Sequence, residues 1–158
     1  MKAWQISLAA EDDAPEILAI QRLAWEPEAR LYQDWTIPPL TQTLEQLRAD
    51  IRDMIFLKAF SDERVVGSVR ARQMGETCEV GRLMVHPDWQ RQGIAHRLML
   101  ELESYFPTVA RFELFTGAKS VKQLRLYTRL GYERIREENY SPLVTLVFME
   151  KRAGTRLD

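Results

Sequence analysis

VHPDWQRQGIAHRLML, residues 85–100, is the stretch on which the reading of this chain turns. It joins EVGRLMV (79–85), which reads as a strand, to the helical stripe Ile94, Ala95, Leu98, Met99, Leu102. Between them stand Gln90, Arg91, Gln92 and Gly93. Helix starts favour Ser, Thr, Asp or Asn, whose side chains satisfy the first backbone N–H groups, and none of these occurs in Gln90–Gly93. A bare start leaves those N–H groups unpaired at the positive end of the helix dipole, where an anion can meet both needs. Gly93 lets a phosphate approach the backbone, and Arg91 adds a fixed positive charge. The joint reads as a pyrophosphate cradle at a strand-to-helix turn; the plainer reading is an exposed loop with a tolerated glycine.

Working outward, residues 77–85, the helix, and RFELFTG (111–117) form a strand–helix–strand unit, which implies a parallel pair. Upstream, MIFLKAF (54–60), VVGSVRARQ (65–73) and TCEVGRLMV (77–85) read as a meander. Residues 3–9 alternate as a first strand. EDDAPEILAIQRLAW is a helix with Asp13 as its cap, Glu16 three residues later, and Pro27 as its kink or end. LYQDWTIPPL reads as a loop stiffened by Pro38 and Pro39, after which Thr43 caps LEQLRADIRD. Ser120 is the expected cap of a helix through Leu130 that Gly131 terminates, and YERIREE and LVTLVFME finish as strands. The order is β-α-α-β-β-β-α-β-α-β-β: an α/β (α+β) chain with a mixed, mostly antiparallel sheet. One domain over 3–150 and a polar, frayed tail over 151–158 are expected.

Composition narrows the functions. Apolar residues make up 46% and charged residues 28% of 158, with a net charge of −1 and a pI near 6.2. No basic face for nucleic acid is implied. One cysteine, Cys78, rules out an internal disulfide, and two histidines are too few for the expectation of a metal centre. No apolar run approaches the ~18 residues of a membrane span, and Gln5 and Ser7 interrupt the N-terminal apolar stretch, so the expectation is a cytoplasmic protein.

The segment VHPDWQRQGIAHRLM resembles the acetyl-coenzyme A motif of the GNAT superfamily of N-acetyltransferases, Gln/Arg-x-x-Gly-x-Gly/Ala, standing here as Gln90-Arg91-Gln92-Gly93-Ile94-Ala95. SVKQLRLYTRLGYE (120–133) resembles that family's second signature, with Leu126-Tyr127 and Gly131-Tyr132. The element order matches the family's fold over residues 3–150. The resemblance implies that strands 77–85 and 111–117 splay around acetyl-coenzyme A. It implies that the pantetheine arm pairs with main chain near Leu83, Met84 and Val85. Amides of Gln90, Arg91, Gln92, Gly93, Ile94 and Ala95 would hold the pyrophosphate. Ser120 and Gln123 stand where relatives often carry Asn at cofactor contacts. Lys119, Lys122 and Arg125 are candidates for the 3′-phosphate and equally read as a solvated helix face.

The implied reaction is acetyl transfer to a primary amine by direct attack in a ternary complex. The alternatives are a non-catalytic acyl-coenzyme A sensor and an enzyme for longer acyl groups. A lysine-like amine is neutral in roughly one molecule in a few thousand at pH 7, so a base is the pressing need. Tyr127 matches the family's proton donor to sulfur. Glu79 matches a strand position used as the base in some relatives, or else it is an outward carboxylate paired with Arg72 or Arg82. Strand parity groups Glu79 with Gly81, Leu83 and Val85, unless Gly81 marks a bulge. Trp25, Tyr32 and Trp35, beside Glu26, Glu28 and Asp34, are candidates for holding a small-molecule or peptide amine acceptor. Leu143–Met149 is apolar and expected near a sheet edge, which raises the expectation of a homodimer.

Overall fold

The computed structural model describes residues 3–154. Seven strands form one sheet in the order β1-β2-β3-β4-β5-β7-β6: β1 Gln5–Leu8, β2 Ile55–Ser61, β3 Arg64–Met74, β4 Thr77–Val85, β5 Arg111–Gly117, β6 Glu133–Asn139 and β7 Thr145–Arg152. All neighbours are antiparallel except β4 and β5. The helices are α1 Ala14–Tyr32, α2 Pro38–Thr41, α3 Leu44–Asp53, α4 Ile94–Ser104 and α5 Val121–Arg129.

The sheet is covered on both faces around β2 and β3, where sequence neighbours are apolar on opposite faces, Phe56 with Leu57 and Val65 with Val66. On one face α4 and α5 press Ile94, Leu98, Met99, Leu102 and Leu124 against Leu57, Val69, Cys78 and Val80. On the other, α1 and α3 press Ile17, Leu18, Leu47 and Ile51 against Phe56, Val65 and Met84. Leu98, Met99 and Leu102 have no exposed surface. Each such side chain contributes roughly 1.5–3 kcal/mol, so the start of α4 is fixed by its own buried stripe.

Several expectations are corrected. Pro27 neither ends nor interrupts α1, which runs on to Tyr32. Pro27 and Leu23, four residues before it, are both exposed, so the carbonyl that loses its N–H partner faces water. Asp13 does not cap α1 forwards. Its carboxylate accepts from the Ala10 N–H at 2.8 Å and pairs with Lys58 at 3.0 Å, while Glu16 accepts from the Val65 N–H at 2.9 Å. The Pro38–Pro39 loop forms one helical turn, α2, because proline is tolerated in the first turn. The tail begins later than Lys151: β7 continues to Arg152, and Lys151 is buried against Glu103 at 2.8 Å. Residues 155–158 of that tail lie outside the described residues. Finally, β7 lies next to an edge of the sheet, as expected, but is paired on both sides by β5 and β6; the edge strands are β1 and β6, so Leu143–Met149 offers no open edge to a second copy. No helix among the described residues is long and apolar enough to cross a membrane.

Candidate active site

The parallel pair is short. β4 and β5 are in register only at Thr77–Arg111, Cys78–Phe112 and Glu79–Glu113. Beyond Glu79 the strands part, although β4 continues to Val85 and β5 to Gly117. From there β4 keeps only its β3 neighbour, so main-chain groups on its β5 side are available to another extended group. The β3–β4 register slips between Ser68 and Arg70, and the residue that takes the left-handed backbone is Arg82, φ 51°, not Gly81. One extra residue reverses the strand's parity. Cys78 and Val80 face the α4 side, and so do Leu83 and Val85, while Met84 faces α1 and α3. The single parity inferred from sequence holds only up to the bulge.

At the top of the splay α4 begins bare. Gly93 occupies the cap position with φ 82° and no side-chain cap, and Arg91 also has positive φ, 63°. Among the described residues, no backbone N–H from Gln90 to His96 donates to a protein acceptor; the first to do so is Arg97, to the Gly93 carbonyl at 3.1 Å. Left-handed residues alternating with ordinary ones turn successive N–H groups inward as an anion-binding concavity. No heavy atom lies within 4 Å of a Cβ built on Gly93, so its backbone angle, not crowding, demands glycine. The side-chain oxygen of Gln92 is buried without a partner. A diphosphate fits this donor set in charge and in hydrogen-bonding sense.

Below it, the C-terminal end of α1 meets the start of α5. The Lys119 N–H donates to Tyr32 Oη at 2.8 Å, Tyr32 Oη and Ser120 Oγ are 2.8 Å apart, and Ser120 Oγ donates to Glu28 at 2.6 Å. Each hydroxyl has one hydrogen, so the Ser120–Glu28 bond forces Tyr32 to donate to Ser120. The hydrogen bonds therefore all run one way and end on the Glu28 carboxylate. Gly117 makes this possible: a Cβ there would lie 1.9 Å from Tyr32 Oη. Ser120 is the cap residue of α5 by position, but its hydroxyl caps nothing, because Glu28 holds it. Burial raises the Tyr32 pKa against these hydrogen bonds.

Tyr127 lies on α5 seven residues after Ser120, hence on the same face. It is 7% exposed and meets the Tyr132 ring edge-on at 6.1 Å. Burial, and secondarily the charge of Glu28, push its phenol far above the usual range, so it carries its proton at neutral pH. Gln123, between them on that face, is half-buried.

Glu79 does not join this group. It lies where β4 and β5 are still paired, its side chain is 50% exposed, and it pairs with Arg72 at 3.1 Å. Trp25 is half-buried against the α1–α3 core, and Trp35 is 53% exposed on the turn after α1. Of the three candidate aromatics, Tyr32 alone reaches Ser120. Lys119 stacks over the Tyr32 ring at 6.0 Å. Arg125 lines a hollow of about 480 Å³ with Val121, Thr128 and Arg134, on a different face of α5 from Ser120 and Tyr127. His86 Nδ1 accepts from the Asp88 N–H at 3.1 Å, and His96 is exposed. Cys78 is buried, which pushes its thiol up to about 12. No group of three metal-ligating side chains occurs among the described residues. The residue underrated in the sequence is Glu28: only the pairing of α1 with α5, 92 residues apart, singles it out from its acidic neighbours.

Residues 33–153 match the family model described as an acetyltransferase (GNAT) domain. The fold is similar to that of PaiA N-acetyltransferase from Thermoplasma acidophilum in complex with coenzyme A: TM-score 0.78, 19% identity, 95% of this chain and 99% of that one. It is also similar to the ribosomal-protein-S18-alanine N-acetyltransferase from Escherichia coli: TM-score 0.80, 16% identity, 99% and 97% covered. The UPF0157 protein YqkA of Bacillus subtilis is 25% identical over 121 residues, which are 77% of this chain and 35% of that protein. The chain thus spans about a third of the length of the curated relative it matches.

Proposed function

The chain belongs to the GNAT acetyltransferase family, and from that premise we propose that it transfers an acetyl group from acetyl-coenzyme A to a primary amine by direct attack in a ternary complex. The observation that carries this reading is the run of N–H groups from Gln90 to His96, unpaired among the described residues, at the head of a splayed parallel pair. The relative from Thermoplasma acidophilum was solved with coenzyme A, and the donor set here suits the diphosphate of the same molecule.

Acetyl-coenzyme A, when bound, supplies an acyl thioester activated for attack. The chain's residues do the rest. Amides of Gln90 to Ala95 hold the diphosphate, with Arg91 supporting. Main-chain groups of Leu83, Met84 and Val85, on the open side of β4, orient the pantetheine arm. Tyr127 holds a proton on a buried phenol that has no protein hydrogen-bond partner among the described residues, and gives it to the departing sulfur. Glu28 takes the place assigned to Glu79 from sequence. Its carboxylate terminates the hydrogen-bond chain, acts electrostatically on Tyr127, and accepts the proton of the incoming amine, directly or through a water. Cys78, buried and held as a thiol, has no part as an acyl carrier. Ser120 positions Glu28 and Tyr32.

Calorimetry with acetyl-coenzyme A tests the first half of this reading, and saturable heat is expected. Thiol release across a panel of amines tests the second and separates an enzyme from a sensor. Binding that is abolished in Gly93→Val while the protein stays folded supports the cradle. An absence of binding to folded protein would refute the whole reading.

A further inference from the structure

Arg82, the residue at the β4 bulge, has no ion-pair partner of its own among the described residues. Its side chain is directed to the α1–α3 side, where Nη1 donates to Gln42 Oε1 at 3.1 Å. Arg82 has no carboxylate within ion-pairing distance among the described residues. The nearby carboxylate, Asp50, is already taken by Arg70 and by Gln42 Nε2 at 2.7 Å. Two guanidinium groups, both largely withdrawn from water, thus share one acid. Burial first, then the charge of Arg70, lowers the Arg82 pKa to about 10, with the shared Asp50 carboxylate only partly offsetting them. A guanidinium withdrawn from solvent without a counter-charge is unfavourable, and this one is held on a left-handed backbone, φ 51°, that arginine rarely adopts. Most of its donors remain unused.

The placement says what the charge is for. Gln42 Oε1 also accepts from Gln21 Nε2 of α1, at 2.9 Å. Gln21 is wholly buried and its own side-chain oxygen has no partner. Gln21 and Glu28 are seven residues apart and share one face of α1, a separation of about 10 Å along the axis. At one end of that face stands Glu28, whose charge acts on Tyr127. At the other end Gln21 leads through Gln42 to the Arg82 guanidinium.

We propose that Arg82 recognises a carboxylate on the acceptor, so that the acceptor is an amine of amino-acid to dipeptide size bearing a carboxylate. This rests on the transferase reading above. Glu28 receives the amine end, and the planar fork of Arg82 receives the carboxylate, for which its geometry is matched.

The test compares amines with and without that charge: glycine, β-alanine and glycylglycine, each against its amide, with kcat/KM referred to the neutral amine because the carboxylate also raises the amine pKa. Thiol release from acetyl-coenzyme A gives kcat/KM, and calorimetry on coenzyme A-saturated protein gives affinity without turnover. The carboxylate member of at least one pair is expected to be favoured about tenfold or more. In Arg82→Met the preference should fall to near unity. In Arg82→Lys, which keeps charge but not the fork, it should fall partway, and this variant decides the matter if the Met variant does not fold. Equal use of acid and amide in every pair overturns the proposal. So does a preference that survives in Arg82→Met, or failure of every carboxylate amine to bind at its highest soluble concentration. Acetyl-coenzyme A binding by the unsubstituted protein is measured first, without any amine; its absence is the failure of the transferase reading and not of this one.

Discussion

Two helices of this molecule start in opposite ways. At α3, Thr43 Oγ1 accepts from the Gln46 N–H at 3.2 Å, and Gln46 Oε1 accepts from the Thr43 N–H at 2.9 Å. The start satisfies itself, as a capping box does. At α4, Gly93 offers no side chain, and the N–H groups before Arg97 find no protein acceptor among the described residues. Both helices are anchored by buried apolar stripes, so neither start depends on its cap to form. The lesson is that a helix with a secure core can leave its first turn unpaired, and that the unpaired turn is where a ligand's charge is worth most. The start of α5 is a third case, with a capping residue in place whose hydroxyl is spent on Glu28.

The contrast predicts a graded series. Gly93→Val should have the largest effect. It imposes a β-branched residue on φ 82° and should weaken acetyl-coenzyme A binding about a hundredfold, the loss of one or two charge-assisted hydrogen bonds. Gly93→Asn, which tolerates that angle, should lose much less; equal losses would mean that the backbone angle is not what the cradle needs. Next, Gly117→Ala drives a methyl into Tyr32. It should cost about 1–3 kcal/mol in denaturant unfolding and break the Tyr32–Ser120 hydrogen bond. Tyr127→Phe should lower kcat about tenfold, with coenzyme A affinity unchanged in calorimetry. A modest factor is expected because a thiolate leaves without much help. Thr43→Ala should cost about 1 kcal/mol of stability and leave coenzyme A affinity untouched, the mirror image of Gly93→Val. Smallest of all, Glu79→Gln breaks an exposed pair with Arg72. It should change stability by less than about 0.5 kcal/mol and leave the acidic limb of the pH–rate profile in place. Disappearance of that limb would return the base to β4.

The features legible from sequence were those set by neighbours in the chain. The bounds of α3, β4 and β5 match the apolar periodicity residue for residue. Gly131 stops α5 with φ 98°, as its place after Leu130 suggests. Misreadings arose where a distant partner outbid a local one. Asp13 and Glu16 have the spacing of a cap, yet serve Lys58 and the Val65 N–H. A bulge at Gly81 was the alternative to a single strand parity; it forms one residue on, where Arg82 takes the left-handed angle. Ser120 was read as a helix cap, yet its hydroxyl is held by α1.

The chain alone determined the strand–turn–helix at residues 77–104, the bare start of α4, and the family to which these belong. They depend on hydrogen bonds and side-chain periodicities spanning a few residues, which a sequence states directly. Contacts across the fold decided that Glu28 is the carboxylate held by Ser120, and left Arg82 without an ion-pair partner of its own among the described residues. Those depend on α1 lying across the start of α5 and on α3 lying over the bulge of β4. A pairing between residues 92 apart leaves no periodic trace in the chain, because it exists only once both cores have closed.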